Sequence, residues 1–320
     1  MLSRVADSLY WMARNIERAE TNARVLSVQL IHMLEVSEQH VSNRDWEEII
    51  EISASLSDYY SGHDGIEREE VIHYLTQDRQ NFNSISNCMI YARENAKATR
   101  DMIPDGLWEV LNQYYLEHTG ESRFSSYQQA QHALQLTMQT STTAQGIVES
   151  SMTRGVPYAF LKIGKWLERA EKTARILNVL CEKTLKEKQA ANVSNYYYWL
   201  TALQQVNGYN AYIKEYPPTM KPEHVLSFII DNRGFPRSIR YCIDHVMEAI
   251  HHLEDGKISH YSQQLFHTLA TVQEEFTAAH IDDMSTEELM AFLDRFQNRC
   301  QEMSRLFSET YYLIDPVKIK

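Results

Sequence analysis

A charged string that occurs twice constrains this chain more than any other feature. The string IERAETNAR occupies residues 16–24, and LERAEKTAR occupies residues 167–175, 151 positions later. In both copies apolar residues recur every three or four positions, which is the period of one face of an α-helix. The repeat therefore predicts two long helices with the same pattern of charge.

Composition favours helices along the rest of the chain. Only 10 of the 320 residues are Gly and 7 are Pro, whereas β-rich and doubly wound folds use both freely in turns. Periodicity and capping signals, including Asp45 with Glu48, Ser285 with Glu288 and Pro236 in a first turn, place the helix ends. The predicted helices lie near residues 3–35, 45–58, 67–76, 83–102, 105–116, 123–152, 156–187, 190–214, 222–231, 236–254, 257–279 and 286–312.

More segment pairs follow the charged strings in the same order. They are Trp46 with Trp199, VIHYL (71–75) with VLSFI (225–229), and NSISNC (83–88) with RSIRYC (237–242). We predict an all-α fold, built as an internally duplicated helical bundle with pseudo-twofold symmetry. The halves are expected at residues 1–153 and 154–320, within one compact unit, because no Gly-, Ser- or Pro-rich linker separates them.

Charge and cysteine usage narrow the classes of partner. The formal net charge is −12, which disfavours non-specific binding to nucleic acid and to anionic membranes. The four cysteines form no CxxC pair, as expected for buried thiols in a reducing compartment. The chain has no run of about 18 apolar residues and no signal-peptide core. We therefore expect a cytoplasmic protein with no nucleic-acid or membrane partner.

The ERAE strings hold the candidate site residues. On a helix Glu20 falls inside the apolar stripe, with Arg24 one turn later in the favourable acid-first order, and Glu171 repeats this intrusion. A carboxylate in an apolar stripe is costly unless it is paired. The catalytic candidates are Glu17, Glu20, Glu168 and Glu171, and the ligand-binding candidates are Arg18, Arg24, Arg169 and Arg175.

Two interpretations of these strings stay open. The first is a buried salt-bridge network that fixes helix register where the two strings meet near the pseudo-twofold axis. The second is an acidic-basic pocket for a small charged ligand. If burial raised the pKa of one Glu, that residue could act as a general acid or base, so an enzyme is one alternative function.

Two weaker candidate sites lie outside the strings. Arg237 and Arg240 stand near the predicted helix start at Pro236 and could bind an anion there. Carboxylates on paired helices also suggest a metal-binding helical bundle, which requires Glu-x-x-His on two helices. The chain offers Glu248 with His251, and His245 one turn earlier, but its repeat partner is Glu94 with Lys97. No cofactor is expected, since Gly-rich phosphate loops are absent from the sequence.

Four blocks, in order, resemble one family. They are LYWMARNIERAETNARVL (9–26), DRQNFNSISNCMIYARENAKATRDMIPDGLWEVLN (78–112), GKWLERAEKTARIL (164–177) and FPRSIRYCIDHV (235–246). They are similar to the alpha-E family of all-helical bacterial proteins, named for a Glu-Arg motif. The motif maps to Glu17–Arg18 and to Glu168–Arg169. One departure is Phe82, which stands where the family usually has Pro.

The resemblance implies which proteins this chain works with, but it does not identify a reaction. Alpha-E proteins are typically encoded beside, or fused to, a circularly permuted ATP-grasp ligase-like protein, and often a transglutaminase-like protein. The expected function is therefore a helical partner or accessory subunit of an ATP-grasp-type amide- or peptide-ligating system, with an amino-acid or peptide substrate in a Glu/Arg pocket. Tyr-rich segments at 195–200, 209–216 and 309–313 predict a helix-to-helix contact or a partner surface, and a homo-oligomer is a further alternative.

Overall fold

Helices make up all the regular secondary structure of the described residues. The computed structural model describes residues 3–35, 42–53, 56–120, 123–188, 196–254 and 262–311, and these contain no strand. Within these residues, 3-10 turns at Arg100–Met102 and Ile281–Asp283 lie between successive α-helices. The helices are α1 (Ser3–Glu35), α2 (Asn43–Ile52), α3 (Leu56–Gly62), α4 (Arg68–Thr76), α5 (Ile85–Ala98), α6 (Asp105–His118), α7 (Tyr127–Ser151), α8 (Val156–Lys188), α9 (Tyr196–Gln205), α10 (Tyr209–Glu215), α11 (Pro222–Asp231), α12 (Ile239–Leu253), α13 (Gln263–Ala278) and α14 (Thr286–Tyr311).

The all-α prediction is confirmed, and the errors concern where helices break. The helix predicted at 190–214 is two helices, because Asn207 has a φ of 53° and a helix of L-residues cannot continue through that conformation. The helix predicted at 83–102 ends at Ala98, where Thr99 leaves the helical region. The first residues of the helices predicted at 190–214 and 257–279 lie outside the described residues.

The helix starts confirm one of the two predicted capping boxes. Ser285 and Glu288 exchange the two bonds of a capping box, as predicted. The box predicted at Asp45 with Glu48 is wrong by one turn: Ser42 is the cap, and Asp45 returns the bond to its backbone.

Pro236 does not lie in a first helical turn, so that prediction is wrong. Helix α12 begins at Ile239, and Ser238 caps it by accepting a bond from the backbone N–H of Tyr241. Pro236 lies in the turn before this cap. A proline there restricts the turn rather than the helix itself.

One compact unit, here the amino-terminal unit, comprises Trp11–Thr153 and Gln204–Val206. Within it α5 packs on α6, and α6 packs on α7. The polar helix α7 carries Ala130, Leu134 and Met138 at a spacing of four residues. Ala130 and Leu134 are buried, but Thr137 continues the buried face and Met138 is half-buried. Thr137 is tolerated there because its hydroxyl lies 2.8 Å from the hydroxyl of Tyr114.

The second compact unit, here the carboxy-terminal unit, comprises Met1–Tyr10, Arg154–Leu203 and Asn207–Lys320. Helix α8 is its centre and packs against both α12 and α14. Tyr10 anchors the start of α1 here, with its hydroxyl 2.8 Å from that of Ser304 and its ring against Phe307. Of the Tyr-rich segments, residues 195, 312 and 313 lie outside the described residues, and Tyr197 is 63% exposed.

Two expectations from composition can be checked in the described helices. All four cysteines are buried thiols outside any disulfide, as predicted. None of these helices combines the length and the apolar character that crossing a membrane requires. The division into half-repeats at 1–153 and 154–320 stays a prediction.

Candidate functional site

The first ERAE string places two carboxylates in the interior of the amino-terminal unit. Glu17 is 0% exposed and Glu20 is 1% exposed. The Oε2 of Glu17 accepts a hydrogen bond of 2.9 Å from the side-chain amide of Gln145 on α7. Glu20 forms an ion pair with Arg24 one turn later, as the i,i+4 spacing predicts. Both carboxylates are therefore partnered inside the protein, as buried charges must be.

Arg18 and Asn22 of the same string hold the turn that precedes α5. The Nη1 of Arg18 donates to Oδ1 of Asn83 at 3.1 Å. The side-chain amide of Asn22 donates to the backbone carbonyl of Asn83 at 3.0 Å. Ser84, the next residue, caps α5. The first string therefore fixes where α5 starts relative to α1.

Arg18 also lines a cavity of about 340 Å³, which we call the Arg18 cavity. It lies between α1, the turn before α5 and one face of α5. Phe82 is 73% exposed and Tyr91 is 37% exposed, so aromatic rings stand at its open side. Neither Glu17 nor Glu20 is among its lining residues. The lining residues are Trp11, Asn15, Arg18, Phe82, Tyr91, Glu94 and Asn95.

The second string holds the corresponding turn of the carboxy-terminal unit. Glu168 is 1% exposed and Arg169 is 6% exposed. The Nη1 of Arg169 donates to the backbone carbonyl of Pro236 at 3.3 Å. Thr173 donates to the backbone carbonyl of Arg237 at 3.2 Å. The string again ties its helix to the turn that leads into the next long helix, here α12.

Around Arg169, however, side chains pack over the guanidinium. The ring of Trp166 lies 4.8 Å from Arg169 Cζ and contacts Tyr241 and His245 at 5.3 and 5.1 Å between centroids. On the same helix Lys162 donates to Glu248 of α12 at 2.8 Å, and this bond lowers the pKa of Glu248. We call these residues the Trp166 cluster: Lys162, Trp166, Arg169, Tyr241, His245 and Glu248.

The register that aligns the two strings relates the cluster to the cavity. When the two strings are aligned, Lys162 corresponds to Trp11 and Trp166 corresponds to Asn15. The matching register of α5 and α12 puts His245 at the position of Tyr91 and Glu248 at that of Glu94. The positions that line an opening beside Arg18 are thus occupied, in the carboxy-terminal unit, by residues that contact one another.

Glu171 does not repeat the burial of Glu20. Glu171 and Arg175 are half-buried, whereas Glu20 is buried. In α8 the buried charges are instead Glu168, Arg169 and Lys172. Glu17, Arg18, Glu20 and Arg24 belong to the amino-terminal unit, and Glu168, Arg169, Glu171 and Arg175 to the carboxy-terminal unit. That the two sets meet near a pseudo-twofold axis stays a prediction.

Arg237 and Arg240, which were predicted to bind an anion near the start of α12, differ in exposure. Arg240 is 6% exposed, lies 3.4 Å from the carboxylate of Asp244 and stands over the ring of Phe276. Its charge is therefore already met inside the protein. Arg237 is half-buried beside the turn.

The three residues considered for a metal site, His245, Glu248 and His251, contact other groups. His245 Nδ1 lies 2.9 Å from the backbone oxygen of Tyr241, and Glu248 bonds to Lys162. The ring of His251 packs on Phe266 at 4.8 Å. Within the described ranges no three His, Cys, Asp or Glu side chains converge to hold an ion. The metal-binding alternative therefore has no site in that part of the chain.

Sequence reasoning missed most of the cavity lining. Trp11, Tyr91 and Asn95 carried no signal of their own, since single aromatic or amide residues on a helix usually belong to a packed face. Phe82 did carry a signal, because it departs from the Pro that the resemblance leads one to expect. The structure shows that this departure exposes an aromatic ring at the cavity.

Comparison with known proteins gives one match. The family model Alpha-E, described as a predicted alpha-helical domain with a conserved ER motif, matches residues 1–312. No curated protein matches, and no solved structure matches. The Glu-Arg pairs at Glu17–Arg18 and Glu168–Arg169 are the residues that fit the printed motif.

Proposed function

Because this chain belongs to the Alpha-E family, we propose that it is a helical accessory subunit of an ATP-grasp-type amide- or peptide-ligating system. In this proposal it binds an amino-acid or peptide substrate beside its first Glu-Arg pair. The observation that carries the binding part is the opening of the Arg18 cavity, about 340 Å³, next to that pair. Ligand pockets start at about 300 Å³, so the size suits one amino-acid residue or a short peptide end.

The accessory role is supported by where the carboxylates lie. A general acid or base must reach the reacting group, whereas Glu17 bonds to Gln145 and Glu20 pairs with Arg24. Arg18 is the charged residue of the string that lines the opening. Guanidinium groups bind carboxylates strongly without any proton transfer. The geometry therefore favours binding over catalysis.

An internal duplication belongs to the same proposal. In the amino-terminal unit Tyr59 stacks on His63 at 4.2 Å and meets Tyr74 edge-on at 5.0 Å. In the carboxy-terminal unit Tyr212 stacks on Tyr216 at 5.0 Å and meets Phe228 edge-on at 5.6 Å. These two triads, with the paired turns at Asn83 and Arg237, support a duplicated ancestor. The pseudo-twofold relation between the halves, the cytoplasmic location and a transglutaminase-like second partner stay predictions.

The ATP-grasp partnership can be tested by enzyme turnover. The partner is the circularly permuted ATP-grasp protein encoded beside this chain, assayed for ADP release over a panel of amino acids and short peptides. We expect this chain to raise turnover and Arg18→Gln to lower that stimulation about tenfold, the effect of losing one charge-assisted hydrogen bond. Arg100→Gln is the control, since Arg100 is an exposed arginine of the same unit outside the cavity.

The outcomes separate the candidate functions. If the two proteins neither co-elute nor affect each other's activity, the ligase-partner proposal is wrong. If this chain alone converts a substrate of the panel and Glu20→Gln abolishes that conversion with the fold intact, it is an enzyme rather than an accessory subunit. If stimulation survives Arg18→Gln unchanged, the partner role stands and the site is elsewhere.

A further inference from the structure

The Arg18 cavity combines one guanidinium with three aromatic rings. Trp11, Phe82 and Tyr91 line it together with Arg18. Phe82 leaves 73% of its surface exposed, and Tyr91 leaves 37%. A large ring held in water at the edge of a cavity loses the hydrophobic stabilisation that burial would provide. Rings arranged in this way are typical of a site that an apolar group covers.

The charges around the cavity favour an anionic group at one end. Arg18 lines it directly. The carboxylate of Glu94 is paired with Arg93, which offsets its repulsion. Asn15 and Asn95 add amide groups to the lining. A carboxylate is the anion that a planar guanidinium with neighbouring amides recognises best among amino-acid groups.

We infer that the Arg18 cavity binds the carboxylate end of an aromatic amino acid, or of a peptide that ends in one. The carboxylate lies toward Arg18, and the aromatic side chain lies among Trp11, Phe82 and Tyr91. This inference rests on the proposed function for its biological role, and it narrows the substrate class of that site. A volume of about 340 Å³ has room for one such residue and little more.

The two Glu-Arg pairs differ in whether a ligand can reach them. Arg169 is 6% exposed, and the ring of Trp166 packs over its guanidinium. The second Glu-Arg pair is therefore covered by the protein itself. We expect one ligand per chain, although the chain carries two strings.

Isothermal titration calorimetry of the full chain provides the test. The probes are N-acetyl-L-phenylalanine, its amide and N-acetyl-L-alanine. We expect one site for N-acetyl-L-phenylalanine, and binding at least about tenfold weaker for the amide, which lacks the charge, and for the alanine compound, which lacks the ring. If the amide binds as tightly as the acid, the carboxylate assignment is wrong. If the alanine compound does, the aromatic assignment is wrong.

Variants locate the site. Phe82→Ala and Arg18→Gln are expected to weaken binding about tenfold. Their controls, Leu116→Ala and Arg100→Gln, should not change it. Leu116 is a matched control for Phe82, because it is 71% exposed in the same unit and does not line the cavity. Since Phe82 is itself exposed, its truncation leaves the fold intact even if Arg18→Gln does not. Equal binding by Phe82→Ala and the unchanged protein overturns the inference, as does a stoichiometry of two.

Direct binding separates this inference from the proposed function. If the chain binds N-acetyl-L-phenylalanine but does not stimulate the ATP-grasp protein, the accessory role is wrong and the binding site stands. A chain that stimulates turnover but binds none of the probes below about 10 mM, a binding free energy of only a few kcal/mol, refutes the site and keeps the role.

Discussion

Arg18 and Arg169 occupy the same place in two nearly identical strings and have different surroundings. Arg18 is half-buried and lines an open cavity. Arg169 is 6% exposed and has the ring of Trp166 over its guanidinium. Both bond to the turn before the next long helix. Both arginines therefore tie their helix to a turn, and Arg18 in addition lines an open cavity.

The difference comes from neighbours outside the motif. Three residues before Arg169 stands Trp166, where Asn15 precedes Arg18. Asn15 bonds to the backbone of its own helix, to Trp11 O at 2.8 Å, and so leaves the space beside Arg18 unfilled. A repeated motif can therefore keep its scaffolding role in both copies while ligand access differs between them.

The largest expected effect is the loss of Trp166. Trp166→Ala should lower the free energy of unfolding by about 3–5 kcal/mol, because it removes a buried ring packed on several neighbours. Asn15→Ala at the matching position should lower it by about 1 kcal/mol, the value of one hydrogen bond. Urea denaturation followed by circular dichroism measures both. Equal losses would mean that the two surroundings are energetically alike and would break the comparison.

The second effect compares Glu20 with Glu171. Glu20→Gln should lower the free energy of unfolding by about 3 kcal/mol, since it leaves Arg24 without its buried partner. Glu171→Gln should change it by less than about 1 kcal/mol, because a half-buried carboxylate keeps water as an alternative partner. Thermal or urea denaturation of both variants checks this. A loss at Glu171 as large as at Glu20 would show that the two strings are buried alike in solution.

A smaller effect depends on pH and belongs to the Trp166 cluster. The bond from Lys162 lowers the pKa of Glu248 below its unfolded value. The pair therefore contributes stability that is full above about pH 4.5, the ordinary range for Glu, and that is lost as pH falls through the lowered pKa. Because Glu248 is 66% exposed, we expect less than about 1 kcal/mol.

The measurement is the unfolding free energy of Glu248→Gln and of the unchanged protein from pH 7 to pH 3. The difference should shrink as the pH falls. In a Lys162→Met background Glu248→Gln should change stability little at any pH, since the donor is gone. A difference that stays constant with pH would show that the pair does not form in solution.

The smallest effect concerns Phe82 and Pro236, which occupy matching positions. Phe82→Ala should change the free energy of unfolding by no more than about 0.5 kcal/mol, as for other exposed side chains. Pro236→Ala should lower it by about 0.4–1 kcal/mol, because the unfolded chain gains freedom. Denaturation curves measured side by side test this. A large loss at Phe82 would show that its ring supports the fold rather than a ligand.

Local features could be predicted from the sequence where neighbours along one helix decide them. The bounds of α1, the Glu20–Arg24 pair and the Ser285 cap depend on residues at most four apart. The burial of Glu17 could not be predicted in this way, because its partner Gln145 lies on α7. The burial of Thr137 on α7 could not be predicted either, because the hydroxyl that bonds to it belongs to Tyr114 on α6.

By itself the sequence determined an all-helical chain, its two Glu-Arg pairs and its place in the Alpha-E family. Helical periodicity and the order of motifs depend only on the order of residues along the chain. Only the tertiary structure decided which pair lies beside an opening. That outcome depends on whether the residue three positions before the arginine reaches across to α5 or α12. Trp166 reaches Tyr241 and His245, whereas Asn15 bonds to its own helix. Contacts between helices distant in sequence are set by packing, which a pattern along one helix does not contain.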